Sequence, residues 1–275
     1  MVSNANWKGF FSKNEFNSDT LNRNTISVDC SKDIVTDVLQ DIPAPTSMSE
    51  LCCGGAWFSS LVVSRAPIKD LLLVDQSENQ IKFALANLKK TKPATEGINI
   101  QTVSAGIESL ENKVADLDLI ACTFAAHLLT IDQLELTLEI LERSLRKGGS
   151  FYLLTIDLED LRRTVYAQSI EGFWEYEKTR YRDLQIYRDV LSSRKIEFLE
   201  ERKYESVIYH STVDEFVKFC LQRPFSTFAA LEKELGQQAL DERINRVKSM
   251  IPLSTRSPFP ECLKVTLLRF VRIGN

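Results

Sequence analysis

Glu50, Cys52, Gly54 and Ala56 occupy alternate positions, and an apolar run from Leu71 to Val74 ends in Asp75, 21 residues after Gly54. The letters read as a strand, a turn of small residues, a helix start near Trp57, and a second strand closed by a carboxylate. Gly54 and Gly55 carry no Cβ, so the backbone of the turn can take positive φ and lie directly against a ligand. The unpaired N–H groups at the start of the following helix add positive potential there. An acid about 20 residues after such a turn is where a ribose diol finds its hydrogen-bond acceptor. The chemistry indicated is the holding of a nucleoside.

Two other nucleotide grips are excluded by the residues present. The dinucleotide pattern G-x-G-x-x-G requires a third glycine, and the corresponding residue is Trp57 or Ser59. A P-loop requires Lys and then Ser or Thr after the glycines, and neither follows. The run Glu50-x-Cys52-x-Gly54-x-Ala56 resembles the first motif of the class I S-adenosylmethionine-dependent methyltransferases, an acid followed by three glycines at alternate positions. Cys52 and Ala56 replace two of the glycines. The resemblance implies S-adenosylmethionine as cofactor, with Glu50 organising the turn and the methionine end and Asp75 taking the ribose hydroxyls. Cys52, Gly54, Ala56, Gln76, Ile107 and Thr123 complete the cofactor-binding set it implies. The acid that the family often carries beside the adenine falls at Ala105 or Gly106, which leaves the base to backbone groups, to Ile107 or to Glu108.

Around this motif the pattern alternates strands with helices, the mark of a mostly parallel sheet covered on both faces. A helix through Ile34, Val35, Val38 and Leu39 ends before Pro43 and Pro45. Ser77 with Gln80 and Thr130 with Gln133 read as capping boxes opening two further helices. Leu134, Leu138, Leu141 and Leu145 line the second, with Gly148-Gly149 as its stop. Strands are expected at Ile98–Val103, Asp118–Cys122, Phe151–Ile156, Ile196–His210 and Leu263–Val271. The expected fold is α/β, a Rossmann-like class I methyltransferase sheet with its last strand antiparallel and a helical cap. Residues 1–45, which include Trp7, Phe10, Phe11 and Phe16, are read as an N-terminal helical segment of the cap. Residues 46–157 are read as the cofactor-binding core, and residues 158–275 as cap helices and the strands that complete the sheet.

Methyl transfer needs placement and a compatible field; a base is needed only when the acceptor must lose a proton. The two histidines, His127 and His210, both follow strands and are the candidate catalytic groups, the alternative for each being a hydrogen-bonded structural imidazole. The segment Tyr209-His210 to Arg223-Pro224-Phe225 is similar to the C-terminal part of trans-aconitate-type acid O-methyltransferases, although Gln222 interrupts the pattern. That similarity implies a carboxylate acceptor faced by Tyr209, His210 or Arg223; as a plain reading, Arg223 caps a helix. Trp174, Tyr176 and Arg180 fall where an aromatic lid over the substrate is expected, with ordinary core packing as the alternative. Trp57 reads as packing between sheet and helix.

Composition narrows the partners. The 275 residues carry a net charge of −4 and a pI near 5.5 with no basic run, which argues against a nucleic-acid partner. Six cysteines form no C-x-x-C pair and stand near no histidine at zinc spacing, so no metal site is expected and the thiols read as those of a cytoplasmic protein. No signal pattern and no membrane-length apolar stretch is evident, so no membrane partner is expected. The expected partner is a small-molecule acceptor, with the oligomeric state left open. Methylation of O, N or C in a natural product, a silent cofactor-binding protein and, more distantly, a nicotinamide oxidoreductase are the competing readings.

Overall fold

Along the strand Asp70–Asp75 the side chains alternate between two apolar clusters, Leu71 and Leu73 in one and Leu72 and Val74 in the other. A strand buried on both faces requires a helical layer on each. The computed structural model describes residues 28–91, 95–110, 116–210, 212–222, 226–251 and 259–274. Trp7, Phe10, Phe11, Phe16 and Arg223 lie outside the described residues.

The core runs α1 (Val28–Asp41), β1 (Ser47–Leu51), α2 (Trp57–Val63), β2 (Asp70–Asp75), α3 (Glu78–Lys90), β3 (Asn99–Ser104), β4 (Leu117–Thr123), α4 (Ile131–Ser144) and β5 (Leu145–Thr155). Short helices α5 (Leu158–Arg162), α6 (Val165–Ser169), α7 (Phe173–Glu177) and α8 (Leu184–Val190) follow. Then come β6 (Ile196–His210), α9 (Val213–Leu221), α10 (Ser226–Leu235), α11 (Gln237–Met250) and β7 (Phe259–Arg272). The strands form one sheet in the order β3-β2-β1-β4-β5-β7-β6. β1 to β5 are parallel, and β7 runs antiparallel to both β5 and β6. The strand order reverses between β1 and β4, so a crevice opens beyond their carboxyl ends.

One face of the sheet packs α1, α2 and α3 through Ile34, Val38, Phe58, Val62, Ile81 and Ala84; the other packs α4 and α8 through Leu134, Leu141, Leu184 and Tyr187. A third cluster, including Phe173, Phe216, Phe228 and Ile244, gives the cap helices α6, α7 and α9 to α11 a core of their own. α1, expected within the cap, lies instead against the sheet. Asp41 accepts a hydrogen bond from Tyr152 (3.0 Å) and pairs with Arg202 (2.7 Å) and Arg269 (3.1 Å), while Tyr204 donates to Asp37 at 2.6 Å.

Two local expectations are corrected. The pair Gly148-Gly149 does not stop α4, which ends at Ser144; both glycines lie within β5, where the register with β4 shifts. A Cβ on Gly149 would stand 2.7 Å from the Leu117 carbonyl oxygen, so strand contact rather than helix termination demands glycine here. Leu145 accordingly belongs to β5 instead of the α4 face, which buries Thr137 and Ile140 beside Leu134 and Leu141. Thr130 and Gln133 do form the reciprocal capping box. Ser77 caps α3 by accepting from the Gln80 amide, but the Gln80 side chain does not reach back: it is buried, with neither amide atom hydrogen bonded.

Candidate functional site

The turn after β1 is held open by carboxylates on either side. Asp75, at the end of β2, accepts from the Gly54 amide at 2.9 Å and from the Ser77 amide at 2.8 Å. A carboxylate has about four lone-pair sites, so two remain for a diol. Burial pushes the Asp75 carboxyl up, and the two amides oppose that. Gln76 beside it is exposed at the sheet edge. From beneath, the Asn87 amide on α3 donates to the Gly55 carbonyl at 2.9 Å.

Glu50 is fully buried and ties three elements together. Its Oε2 accepts from the Ser59 amide (3.0 Å) and hydroxyl (2.5 Å) on α2, and its Oε1 from the Thr123 hydroxyl (3.0 Å) at the end of β4. Burial raises its carboxyl to about 7 against the pull of those hydrogen bonds, with the nearby Asp75 charge adding to the rise. The Thr123 hydroxyl is thus directed at Glu50, and Glu50 positions the turn from inside the protein. Ser59, nine residues on in the first turn of α2, was weighed from sequence only as a missing glycine and not as a partner of Glu50.

Cys52, Gly54 and Ala56 all adopt left-handed backbone, with φ of 52°, 49° and 53°. The two non-glycine residues therefore take the conformation that the glycines of the resembling motif would take freely, at roughly 1–2 kcal/mol each. Ala56 is also the N-cap of α2, where it makes no side-chain hydrogen bond. Ala56→Gly should raise stability by about 1 kcal/mol, since glycine is both the better cap and the unstrained residue. Urea unfolding measures this, and a loss of stability would show that the buried methyl group outweighs the backbone. Cys52 shares a thiol hydrogen bond with Cys122, which pushes its pKa well up and leaves it a poor nucleophile.

At the exit of β4, Phe124 also has positive φ, 52°, and its ring stands 6.4 Å from that of Trp57. A bulky residue held in this region marks stored backbone strain, a feature that concentrates at functional sites. His127 follows within the short 3-10 helix Ala126–Leu128 and stacks on Tyr181 at 4.3 Å with the rings 5° apart. Its Nδ1 is buried without a hydrogen bond. Burial and the charges of Arg180 and Arg182 hold the imidazole well below its ordinary pKa. Arg182 clamps the segment by donating to the carbonyls of Ala126 (3.2 Å) and Leu129.

Arg180 is buried, 3.7 Å from Glu177, and lies 5.2 Å over the ring of half-buried Tyr176. Thr227 on α10 bridges them, accepting from Arg180 at 3.2 Å and donating to Glu177. Burial raises the Glu177 carboxyl to about 7 although Arg180 pulls it down. Trp174 lies away from this cluster, under Arg162. Glu177 and Thr227 were not singled out from sequence, because the contact between them spans 50 residues.

After β3 the side chain of Ile107 is buried among Leu72 and Val74. The Glu108 carboxylate fills the space that a Cβ on Gly106 would occupy, so an acid does stand over the Ala105-Gly106 backbone. The two histidines separate: Thr155, the end of β5, is level with Lys203 through Thr266, and β6 continues seven residues further to His210. That is about 23 Å of extended chain beyond the edge, along the ribbon from which the cap helices depart. Tyr209 and His210 are placed by backbone register only.

Residues 49–149 match the methyltransferase domain family. No curated protein gives a significant match. Among solved structures, a candidate methyltransferase from Bacillus halodurans is 13% identical over 88% of this chain and 99% of its own, with a TM-score of 0.58. The plantazolicin methyltransferase BamL, solved with SAH and a triazolic desmethylPZN analog, is 16% identical over 94% of this chain and 90% of its own, TM-score 0.54. The cyclopropane synthase MmaA2 of Mycobacterium tuberculosis is 11% identical over 87% and 83%, TM-score 0.52. These structures share the class I methyltransferase fold with the chain, its antiparallel final strand included. The methyltransferase domain, residues 49–149, is thus seated in a fold that BamL shares, and BamL was solved with SAH. No helix among the described residues is long and apolar enough to cross a membrane.

Proposed function

We propose that the chain methylates a small or medium-sized acceptor and that the acceptor atom is a carboxylate oxygen. The observation that carries this is the field at the exit of β4, where Arg180 and Arg182 act together on His127. A positive field attracts an anionic acceptor, and a carboxylate is already a nucleophile at neutral pH. A histidine depressed far below its usual pKa is deprotonated but a weak base, which suits a reaction that moves no proton. The similarity of the 209–225 segment to acid O-methyltransferases supports the same reading. On it, Tyr209, His210 and Arg223 are assigned to the acceptor side, as are Trp174, Tyr176 and Arg180.

When bound, S-adenosylmethionine supplies an electrophilic methyl group on a sulfonium. The chain fits it through the remaining acceptor sites of Asp75 for the ribose, the Gly54 turn for the nucleoside, and Ile107 with Glu108 for the adenine. Glu50 and Thr123 hold the turn in place, and Trp57 with Phe124 wall the crevice against water. An alcohol is the second reading, favoured by the Nδ1 of His127, which has no hydrogen-bond partner and so keeps a lone pair for a hydroxyl proton. The thiols of Cys52, Cys53 and Cys122 are unbridged, in keeping with a cytoplasmic setting for this small-molecule enzyme.

Mass spectrometry of the purified protein should detect retained cofactor or its demethylated product, after which a panel of acids and alcohols names the acceptor. With a carboxylic acid, His127→Phe should keep kcat within about threefold and leave the rate flat across neutral pH. A fall in kcat of about 100-fold or more, the usual worth of a positioned base, would move the assignment to the alcohol.

A further inference from the structure

A charged cleft in the cap extends from Trp174 to residues not yet assigned a role. α5 leaves the carboxyl end of β5 through its N-cap Asp157, beside β4, after which His127 follows. Glu159, Arg162, Arg163, Ala167, Gln168 and Trp174 line a cavity of about 400 Å³ between α5, α6 and α7. The lining holds two guanidinium groups against one carboxylate. Both arginines are loosely paired, Arg162 at 3.9 Å from Glu159 and Arg163 at 3.9 Å from Asp160. Asp160 is also engaged by Lys203, at 3.1 Å. The excess of positive charge is in the lining itself, with Asp157, Asp160 and Lys203 standing behind it.

The geometry adds a shape to the charge. The Arg162 guanidinium lies 5.9 Å over the Trp174 ring, so a flat aromatic surface adjoins a planar donor fork. Exposed ion pairs at such distances contribute little to folding, so stability alone gives no reason for both arginines and the half-buried indole to meet here. We propose that this cleft binds a planar group bearing an oxyanion, carboxylate or phosphate, as the part of the acceptor remote from the methylated atom. Naming the ligand an acceptor rests on the methyl-transfer reading; the binding itself does not. Guanidinium forks grip such oxyanions through paired hydrogen bonds, and the indole stacks on the attached ring. The cavity falls within the range of small-molecule sites, and binding there would hold the acceptor in register with the sheet edge.

The test uses the full chain with ¹⁵N-labelled tryptophan, whose three indole N–H signals come from Trp7, Trp57 and Trp174. Trp174→Phe assigns the relevant signal. Benzoate or phenyl phosphate should shift it, and whichever acts more strongly names the oxyanion; benzyl alcohol and benzylammonium should not. The exposed pair Arg162→Ala/Arg163→Ala should weaken the response about tenfold or more, with an unchanged thermal transition. An equal shift with benzyl alcohol, a full response in the double variant, or no shift with either anion would overturn the proposal. Calorimetry with S-adenosylmethionine runs alongside: failure of the wild type to bind it would undo the methyl-transfer reading while leaving the cleft result standing.

Discussion

Asp75→Ala should weaken S-adenosylmethionine binding about 100-fold while the far-ultraviolet circular dichroism stays that of the wild type. Two effects combine. The substitution removes the charged acceptor proposed for the ribose diol, where each such hydrogen bond contributes about 1.5–3 kcal/mol. It also strips the Gly54 and Ser77 amides of the oxygens that now fix the turn and the start of α3. The fold should persist because Asp75 sits at the sheet edge and is only partly buried, whereas the apolar residues before it carry the packing. Titration calorimetry reads the affinity directly; a change of less than about threefold, or about 0.65 kcal/mol, would detach Asp75 from the ribose.

The second large effect is on stability. Glu50 and Glu177 both have carboxyl groups raised from 4.5 to about 7 by burial. A carboxyl whose folded pKa exceeds its unfolded value binds more protons when folded. Its stabilising contribution is therefore complete below the unfolded pKa and disappears as pH rises through about 7. For each group the span corresponds to about 3 kcal/mol. Urea unfolding of the cofactor-free protein should thus show stability falling from about pH 5 to about pH 8. Glu50→Gln, which can still accept from Ser59, should remove roughly half of that slope. An unchanged slope in the variant would mean that Glu50 is ionised throughout and held so by Ser59 and Thr123.

The strand, turn and helix start around Gly54 were legible in the sequence because everything they need is local. Glu50, Gly54 and Asp75 lie on one strand–turn–helix–strand unit, and strand periodicity alone sets their order. The strands themselves were equally visible, Ile196–His210 to the residue, since two-residue alternation and apolar runs are short-range signals. Contacts between distant segments were not. Nothing near Glu50 announces Thr123, 73 residues away, as the donor to its second oxygen. Gly148-Gly149 was misread because a glycine pair after a helical pattern has two physical uses, ending a helix or admitting a neighbouring strand, and only the register of β5 against β4 decides between them. Gln80 was misread for a related reason: a capping box describes a reach between two residues, while the space around Gln80 is set by α3 closing on the sheet. The cap was read least well. Glu177, Arg180 and Thr227 form a buried triad whose members come from α7, the segment after it and α10, and no short pattern links them.

The bond set that fastens α1 bears on how the chain is made. Asp37 and Asp41 find their partners on β5, β6 and β7, up to 228 residues later in the chain. During synthesis from the amino end, α1 must wait through most of translation with Asp37 and Asp41 unpaired, although Phe58 and Val62 on α2 are made soon after it. A ribosome-stalled fragment ending before β6 should accordingly be the species most readily captured by chaperones, and the final ribbon is what lets α1 come to rest.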